Sequence, residues 1–280
     1  MKSLLLVPLA VFSHATAARR PQLPPNHDRN RQPGDRVSSA GAHDSGSQSD
    51  GARSNAILNA LSESRLAQLL PKLRSVELEL GQVLYEPEQS IDYVYFPTAG
   101  IISLLAAFED GATVEAGVIG TEGMLGTPVV LGAETTPHQA LVQASGQAMR
   151  MTARDLTVEV ENDGSLLKSV LRYTNVMFIQ VAQTAACNGL HTIEQRLARW
   201  LLLTHDRVRG DEFILTQEFL SRMLGVRRAG VSVAANNLKQ YGAIDYRRGN
   251  VIVADRKRLE HTSCECYEAV KQEYDRYLRT

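Results

Sequence analysis

From Ser165 to Asn188 the chain contains neither proline nor glycine, and within that run Leu167, Leu171, Thr174, Phe178, Val181, Ala185 and Asn188 recur three or four apart. That spacing places them in one stripe on a helix of about seven turns. A stripe so long and narrow is the seam of a coiled-coil-like contact, which needs a partner helix. The spacing predicts a helix over 161–190 that pairs two copies of the chain; packing of the stripe inside its own domain is the alternative.

This helix divides the chain. Before it, Ile57, Leu58, Leu61, Leu66, Leu69 and Leu70 have helical spacing up to the breaker Pro71. Val76–Leu80 alternates as a half-buried strand does, Tyr93–Phe96 is aromatic and β-branched, and Ile101–Phe108, Thr113–Ile119 and Ala140–Met151 are further strands, with a hairpin signal at Asp110-Gly111. Short strands at this spacing predict an antiparallel β-roll over 55–160. The whole is an α+β chain: roll, long helix, then a C-terminal unit over 191–280.

The start of the chain has a different composition. Residues 13–54 are rich in Arg, Pro, Gly, Ser, Asp and Asn and hold hardly any large apolar residue, so residues 1–54 are expected to be a disordered tail or to follow a start assigned too early. Lys2, Leu4–Phe12 and Ala15-Thr16-Ala17 imitate a short export signal, but Pro8 interrupts its apolar core. No stretch has the roughly 20 apolar residues that span a bilayer. Three cysteines, Cys187, Cys264 and Cys266, are too few for a disulfide scaffold and fit a reducing compartment, so the expected location is cytoplasmic.

Charge is distributed unevenly. Residues 56–160 hold 5 basic against 13 acidic side chains, whereas 222–258 hold 9 basic against Asp245 and Asp255. A polyanion would be repelled by the first segment and attracted to the second. A solvated basic face is the alternative, and the local pattern decides between them.

Thr192-Ile193-Glu194-Gln195 has the spacing of a capping box, which makes 189–191 the expected hinge, Gly189 ending the long helix. Thr216 can cap a helix with Phe219, Leu220, Met223 and Leu224 inward, and Gly225 suits its left-handed end. A second helix starting near Arg227 has Val231, Ala234, Ala235 and Leu238 inward. Small Ser221 four before Gly225 and Val231 six after it complete the pattern of a helix-turn-helix. Outward lie Arg227, Arg228, Ser232, Asn236 and Lys239. Arg can fork onto guanine and Asn onto adenine in a major groove, while Lys and Ser suit phosphates. Ala243–Arg247 and Val251–Ala254, joined at Arg248-Gly249-Asn250, read as a wing with Arg247 and Arg248 near its tip. Thr216, Arg227, Arg228, Ser232, Asn236, Lys239, Arg247 and Arg248 are therefore the candidate DNA-binding residues.

From about 56 to 258 this organisation resembles the Crp/Fnr superfamily of bacterial transcription regulators. The segments that carry the likeness are Leu215–Leu238 with its wing, and Gly81…Tyr93-Val94-Tyr95-Phe96…Gly100…Ser103-Leu104. The resemblance implies a cyclic-nucleotide-binding-like β-roll sensor, a dimerisation helix and a winged helix-turn-helix. It also implies double-stranded DNA with a pseudo-palindromic operator, a second copy of the chain, a small-molecule effector and RNA polymerase as partners, with a signal on the roll reaching the DNA-binding unit through the long helix and hinge.

Departures from the family pattern are specific. Its recognition helix opens Ser-Arg-Glu-Thr-Val; here stands Arg227-Arg228-Ala229-Gly230-Val231, with Val233 in place of a later Arg. Arg228 alone carries over as a base reader. Cyclic-nucleotide members use Gly-Glu and a downstream Arg-Ser-Ala; here stand Thr121-Glu122 and His138-Gln139-Ala140. A neutral His is a poor substitute for a guanidinium on a phosphate, so tight cyclic-nucleotide binding is not expected, and Glu122 and His138 are weak candidates for another ligand. No cysteine precedes Cys187, unlike the redox members with an N-terminal iron–sulfur cluster. His261-x-x-Cys264-x-Cys266 lacks the paired spacing of structural zinc sites, and Cys187 reads as packing, so no metal and no cofactor are expected. No phosphate loop, zinc-protease motif or nucleophile elbow is present, and no enzyme is expected. The competing reading is a small-molecule-binding or protein-interaction module with a degenerate helix-turn-helix.

Overall fold

The computed structural model describes residues 45–280 except Asp110, Asp163, Arg248 and Thr280. The expectations for residues 1–44 lie outside the described residues. Helix α1 (Ser45–Arg53) begins before the predicted onset of order near Asn55. Ala52 on it is fully buried, and Gln48 Nε2 donates to the Leu73 carbonyl at 3.2 Å. These are long-range contacts, which a polar local composition does not reveal.

The leucine-rich run becomes two short helices, α2 (Ala56–Asn59) and α3 (Glu63–Leu69), because two polar caps restart it. Ser62 caps α3. Asn55 caps α2 from a fully buried position, accepting from the Ile57 and Leu58 amides and donating to the Pro97 and Gly123 carbonyls at 3.0 and 2.7 Å. Its amide thereby fastens α2 to the sheet.

That sheet comprises β1 (Arg74–Leu78), β2 (Val83–Tyr85), β3 (Tyr93–Ala107), β4 (Thr113–Ile119) and β5 (His138–Thr152). The order is β1-β5-β3-β4, with β2 also on β5, and every pairing is antiparallel. Segments 93–96 and 101–108, read from the sequence as separate strands, form one bulged strand with register shifts between Pro97 and Ile102. The predicted first strand ends at Leu78, and Leu80 is exposed. The β3–β4 hairpin closes through the Phe108 amide on the Ala112 carbonyl (2.9 Å). A short helix, α4 (Thr127–Val130), joins β4 to β5.

After α5 (Ala153–Asn162), helix α6 runs over Gly164–Leu190, through Gly189 rather than stopping at it. It has two apolar faces. Leu166, Val170, Tyr173, Met177, Gln180 and Cys187 are buried against the rest of the chain. Gly123 lets the Tyr173 ring approach the roll, since a Cβ there would lie 2.0 Å from it. The other face is the stripe read from the sequence: Phe178 is 71% exposed and Leu171 44%. Ala185 and Asn188 are also exposed, and Leu167, Thr174 and Val181 are half-buried.

The remainder is α7 (Ile193–His205), β6 (Glu212–Ile214), α8 (Gln217–Leu224), α9 (Arg228–Gln240), β7 (Ile244–Arg247), β8 (Asn250–Val253), α10 (Arg256–Thr262) and α11 (Cys266–Leu278). The second sheet has the order β6-β8-β7; β6 is a third strand that the sequence did not announce. The capping box is formed: Thr192 Oγ1 accepts from the Gln195 amide and Gln195 Oε1 from the Thr192 amide. Arg196 to Thr204 of α7 are all buried, and Gln143 of β5 donates to Thr204 Oγ1 at 3.0 Å. One hydrophobic core therefore extends from the roll through α7 into the C-terminal unit. Helix α11 returns along α6 with Cys266, Tyr267, Val270 and Tyr274 buried.

Candidate nucleic-acid interface

Helix α8 starts at Thr216, whose hydroxyl accepts from the Phe219 amide at 3.1 Å, and buries Leu220, Met223 and Leu224. Gly225 ends it at φ +61, while the Val226 amide bonds back to the Ser221 carbonyl (3.0 Å). A Cβ on Gly225 would also lie 2.6 Å from Val114 Cγ2 of β4, so glycine is required both by conformation and by contact. Helix α9 then buries Val231, Ala234, Ala235 and Leu238, the four inward positions read from the sequence. Because these lie on one side, Arg228, Val233, Asn236 and Lys239 are exposed on the other, with Arg227 exposed at the N-cap.

The predicted site residues are in different states. Among the described residues, no hydrogen bond or ion pair engages the side chains of Arg227, Arg228 or Asn236. Thr216 is committed to its cap. Ser232 is half-buried and donates to Gln217 Oε1 at 2.7 Å, tying α9 to α8. Lys239 Nζ lies 2.8 Å from Asp245 Oδ1, and Arg247 Nε lies 3.0 Å from Asp245 Oδ2. One β7 carboxylate thus holds a cation of the helix and a cation of the wing. Contact with Lys239, ahead of the Arg247 charge, keeps the Asp245 carboxyl below its ordinary range. Arg248 lies outside the described residues; beside it Gly249 turns the wing at φ +82.

The two roll candidates are placed differently. Glu122 is buried, and its Oε1 accepts from Arg207 Nε at 2.7 Å and from the Gly120 amide at 3.1 Å. The guanidinium of Arg207 also stands 5.0 Å over the Tyr274 ring. Glu122 is therefore part of a buried ion pair between the roll and the end of α7, and its charge is already answered. His138 is half-buried at the start of β5, its amide bonded to Thr136 Oγ1 at 3.2 Å. A second buried carboxylate, Glu115 of β4, accepts from Trp200 Nε1 at 2.8 Å, and burial raises its pKa to about 7. Sequence reading missed both pairings, since their partners lie 85 residues away in the chain.

Residues 195–262 match the Crp-like helix-turn-helix domain family. FixK2 from Bradyrhizobium japonicum superposes with a TM-score of 0.59 at 16% identity, covering 69% of this chain and 98% of FixK2. A CRP-family transcriptional regulator from Thermus thermophilus gives 0.57 at 16% identity, covering 67% of this chain and 96% of the other. The chain has the Crp/Fnr fold and carries a Crp-like helix-turn-helix domain. The c-di-GMP-responsive global regulator CLP of Xanthomonas campestris is a further likeness, with a TM-score of 0.54 at 13% identity over 69% of this chain and 100% of CLP. At these identities the likeness to the solved structures is one of fold. No match to a curated protein sequence was found.

Within the matched segment, α9 is the second helix of the helix-turn-helix and the β7–β8 hairpin follows it. Val233, where the family has a second Arg, is 61% exposed, so the face keeps an apolar centre flanked by Arg228 and Asn236. The cysteines are the other surprise. Cys264 and Cys266 meet Cys187 and His191, not the His261 that lies near them in sequence. The signal available in the sequence was the i, i+4 spacing of Cys187 and His191 at the end of one helix.

Proposed function

We propose that the chain is a sequence-specific DNA-binding transcription regulator that works as a homodimer and has no catalytic role. The observation that carries this is the exposed face of α9: Arg227, Arg228 and Asn236 stand free of internal partners beside a basic wing, in a segment matching the Crp-like helix-turn-helix family. Arg228 reads guanine and Asn236 reads adenine. Lys239, Arg247, Arg248 and Arg227 contact phosphate, whereas Thr216 caps α8 and Ser232 ties α9 to α8. The exposed stripe of α6, centred on Phe178, pairs two copies. Their recognition helices enter major grooves about one helical turn apart, so the operator is pseudo-palindromic.

An effector of unspecified chemistry on the roll, RNA polymerase as a partner and a cytoplasmic setting complete the reading. Among the described residues no helix is long and apolar enough to cross a membrane. The effector surface does not include Glu122, which is held by Arg207. The test is duplex binding by the full chain across a salt series, with sedimentation run in parallel. A dimer whose affinity falls steeply is expected, each phosphate contact adding about 0.9 to the logarithmic slope. A flat dependence favours the second reading, a ligand- or protein-binding module with a degenerate helix-turn-helix, which the exposed Val233 motivates.

A further inference from the structure

Four metal-ligating side chains from distant parts of the sequence converge at the C-terminal end of α6. Cys187 is on its last turn, His191 is in the link to α7, Cys264 lies between α10 and α11, and Cys266 opens α11. Their ligand atoms all lie within 4.8 Å of one another. Cys187 Sγ is 3.5 Å from Cys264 Sγ, and Cys266 Sγ is 3.5 Å from His191 Nδ1. The three cysteines are buried and form a cluster of their own, apart from the main hydrophobic core. We propose that Cys187, His191, Cys264 and Cys266 form a binding site for a single zinc-class metal ion, independent of the DNA-binding reading.

The distances suit one ion. Metal–sulfur bonds of about 2.3 Å and metal–nitrogen bonds of about 2.0 Å place tetrahedral ligand atoms roughly 3.5–3.8 Å apart. Two of the observed separations already stand at 3.5 Å, and the rest, all within 4.8 Å, need to close by about 1 Å at most. The surroundings also suit it. With His191 Nδ1 toward the thiols, its Nε2 lies 3.4 Å from Glu265 Oε1, the carboxylate-to-histidine arrangement that orients a ligating ring. Gln183 Nε2 donates to Cys266 Sγ at 3.1 Å, a hydrogen bond that favours the thiolate a metal needs. Simple packing of three thiols would not require an imidazole nitrogen turned onto them. A Cys187–Cys264 disulfide would need the sulfurs to close from 3.5 Å to about 2.05 Å and would leave Cys266 and His191 without a role.

Four protein ligands close the coordination sphere, which makes the site structural rather than catalytic. Binding releases the thiol protons to solvent, so affinity rises with pH until the thiols are deprotonated. The ion would fasten three elements at one point: the end of the α6 seam, the link that leads into α7, and the start of α11. The end of the predicted dimer helix and the C-terminal unit would then move as one piece.

The full chain, stripped with chelator under reducing conditions, should be titrated with Co²⁺ in the absence of DNA. The expected result is saturation at one ion per chain, with thiolate charge-transfer absorption and intense visible bands of tetrahedral Co²⁺, bleached by one equivalent of Zn²⁺. Cys264→Ser and Cys266→Ser should each abolish the charge-transfer intensity or shift it, whereas Glu265→Gln should keep the spectrum and weaken affinity by about tenfold. Circular dichroism of each variant separates loss of the site from loss of the fold. Absence of thiolate bands in the folded, reduced wild-type chain would overturn the proposal, as would an unchanged spectrum in both serine variants. Either result leaves the duplex-binding test untouched.

Discussion

In the roll, the carboxylates of Glu115 and Glu122 are buried and face Trp200 and Arg207, both on or just after α7. In the winged unit, Arg227 and Arg228 face solvent, and Lys239 and Arg247 share a partly exposed Asp245. Both regions are rich in charge, yet they use it in opposite ways. The roll turns part of its acidic excess inward to join itself to α7, where a missing partner cannot be replaced by water. In the winged unit Lys239 and Arg247 stay at the surface, where the proposed role has them exchange an internal carboxylate for an external phosphate. Charge at the α7 contact is buried and paired, whereas charge on α9 and β7 is exposed to solvent.

The largest expected effect comes from breaking the buried pair. Glu122→Ala leaves Arg207 buried without its counter-ion and should cost about 3–5 kcal/mol in denaturant unfolding. A loss below about 1 kcal/mol would mean that water reaches this contact and that the contrast with the wing is false.

Glu115 sharpens the same contrast through pH. Burial raises its pKa from 4.5 to about 7, so the folded chain binds the proton more tightly than the unfolded chain. Stability from this group is therefore lost as pH rises between these values, and the penalty is complete above pH 7, at about 3 kcal/mol. Glu115→Gln keeps an acceptor for Trp200 and should stabilise the chain above pH 7, the gain shrinking toward zero near pH 4.5. A gain that is the same at both ends of this window would show that the carboxyl titrates normally.

On the other side of the comparison, Arg228→Ala should leave unfolding stability almost unchanged while removing about 1–3 kcal/mol of discrimination at one base pair per half-site. Binding measured over a set of single-base operator variants checks this; equal losses on every variant would make Arg228 a phosphate contact instead. The smallest effect is expected from Asp245→Asn. It frees Lys239 and Arg247 and should raise affinity for unrelated duplex, steepening the salt dependence, while the unfolding midpoint stays nearly unchanged because the ion pairs are at the surface. Weaker duplex binding would mean that Asp245 positions these cations for DNA rather than withholding them.

Much of the fold was legible because it rests on local periodicity. The stripe from Leu167 to Asn188, the buried set Val231, Ala234, Ala235 and Leu238, the Thr192 and Thr216 caps and the turn at Gly225 all appear where spacing puts them. Contacts between distant segments were not legible. α1 is held by Gln48 on Leu73, β3 is continuous only because β5 pairs along its length, and β6 becomes a strand by pairing with β8. The site followed the same rule. The exposed faces of Arg228 and Asn236 came from helical phase, while the grip of Asp245, the burial of Glu122 and the meeting of His191 with three cysteines depend on tertiary placement.

The most direct test of the central claim is to capture genomic DNA fragments with the full chain at two salt concentrations and sequence them, with Arg228→Ala alongside. The account predicts enrichment of a pseudo-palindrome whose half-sites lie about 10 base pairs apart, centre to centre, with recovery that falls sharply at the higher salt and base preference that blurs in the variant. Recovery of unrelated fragments alike by both proteins, with no sequence enriched and no loss at the higher salt, would contradict it.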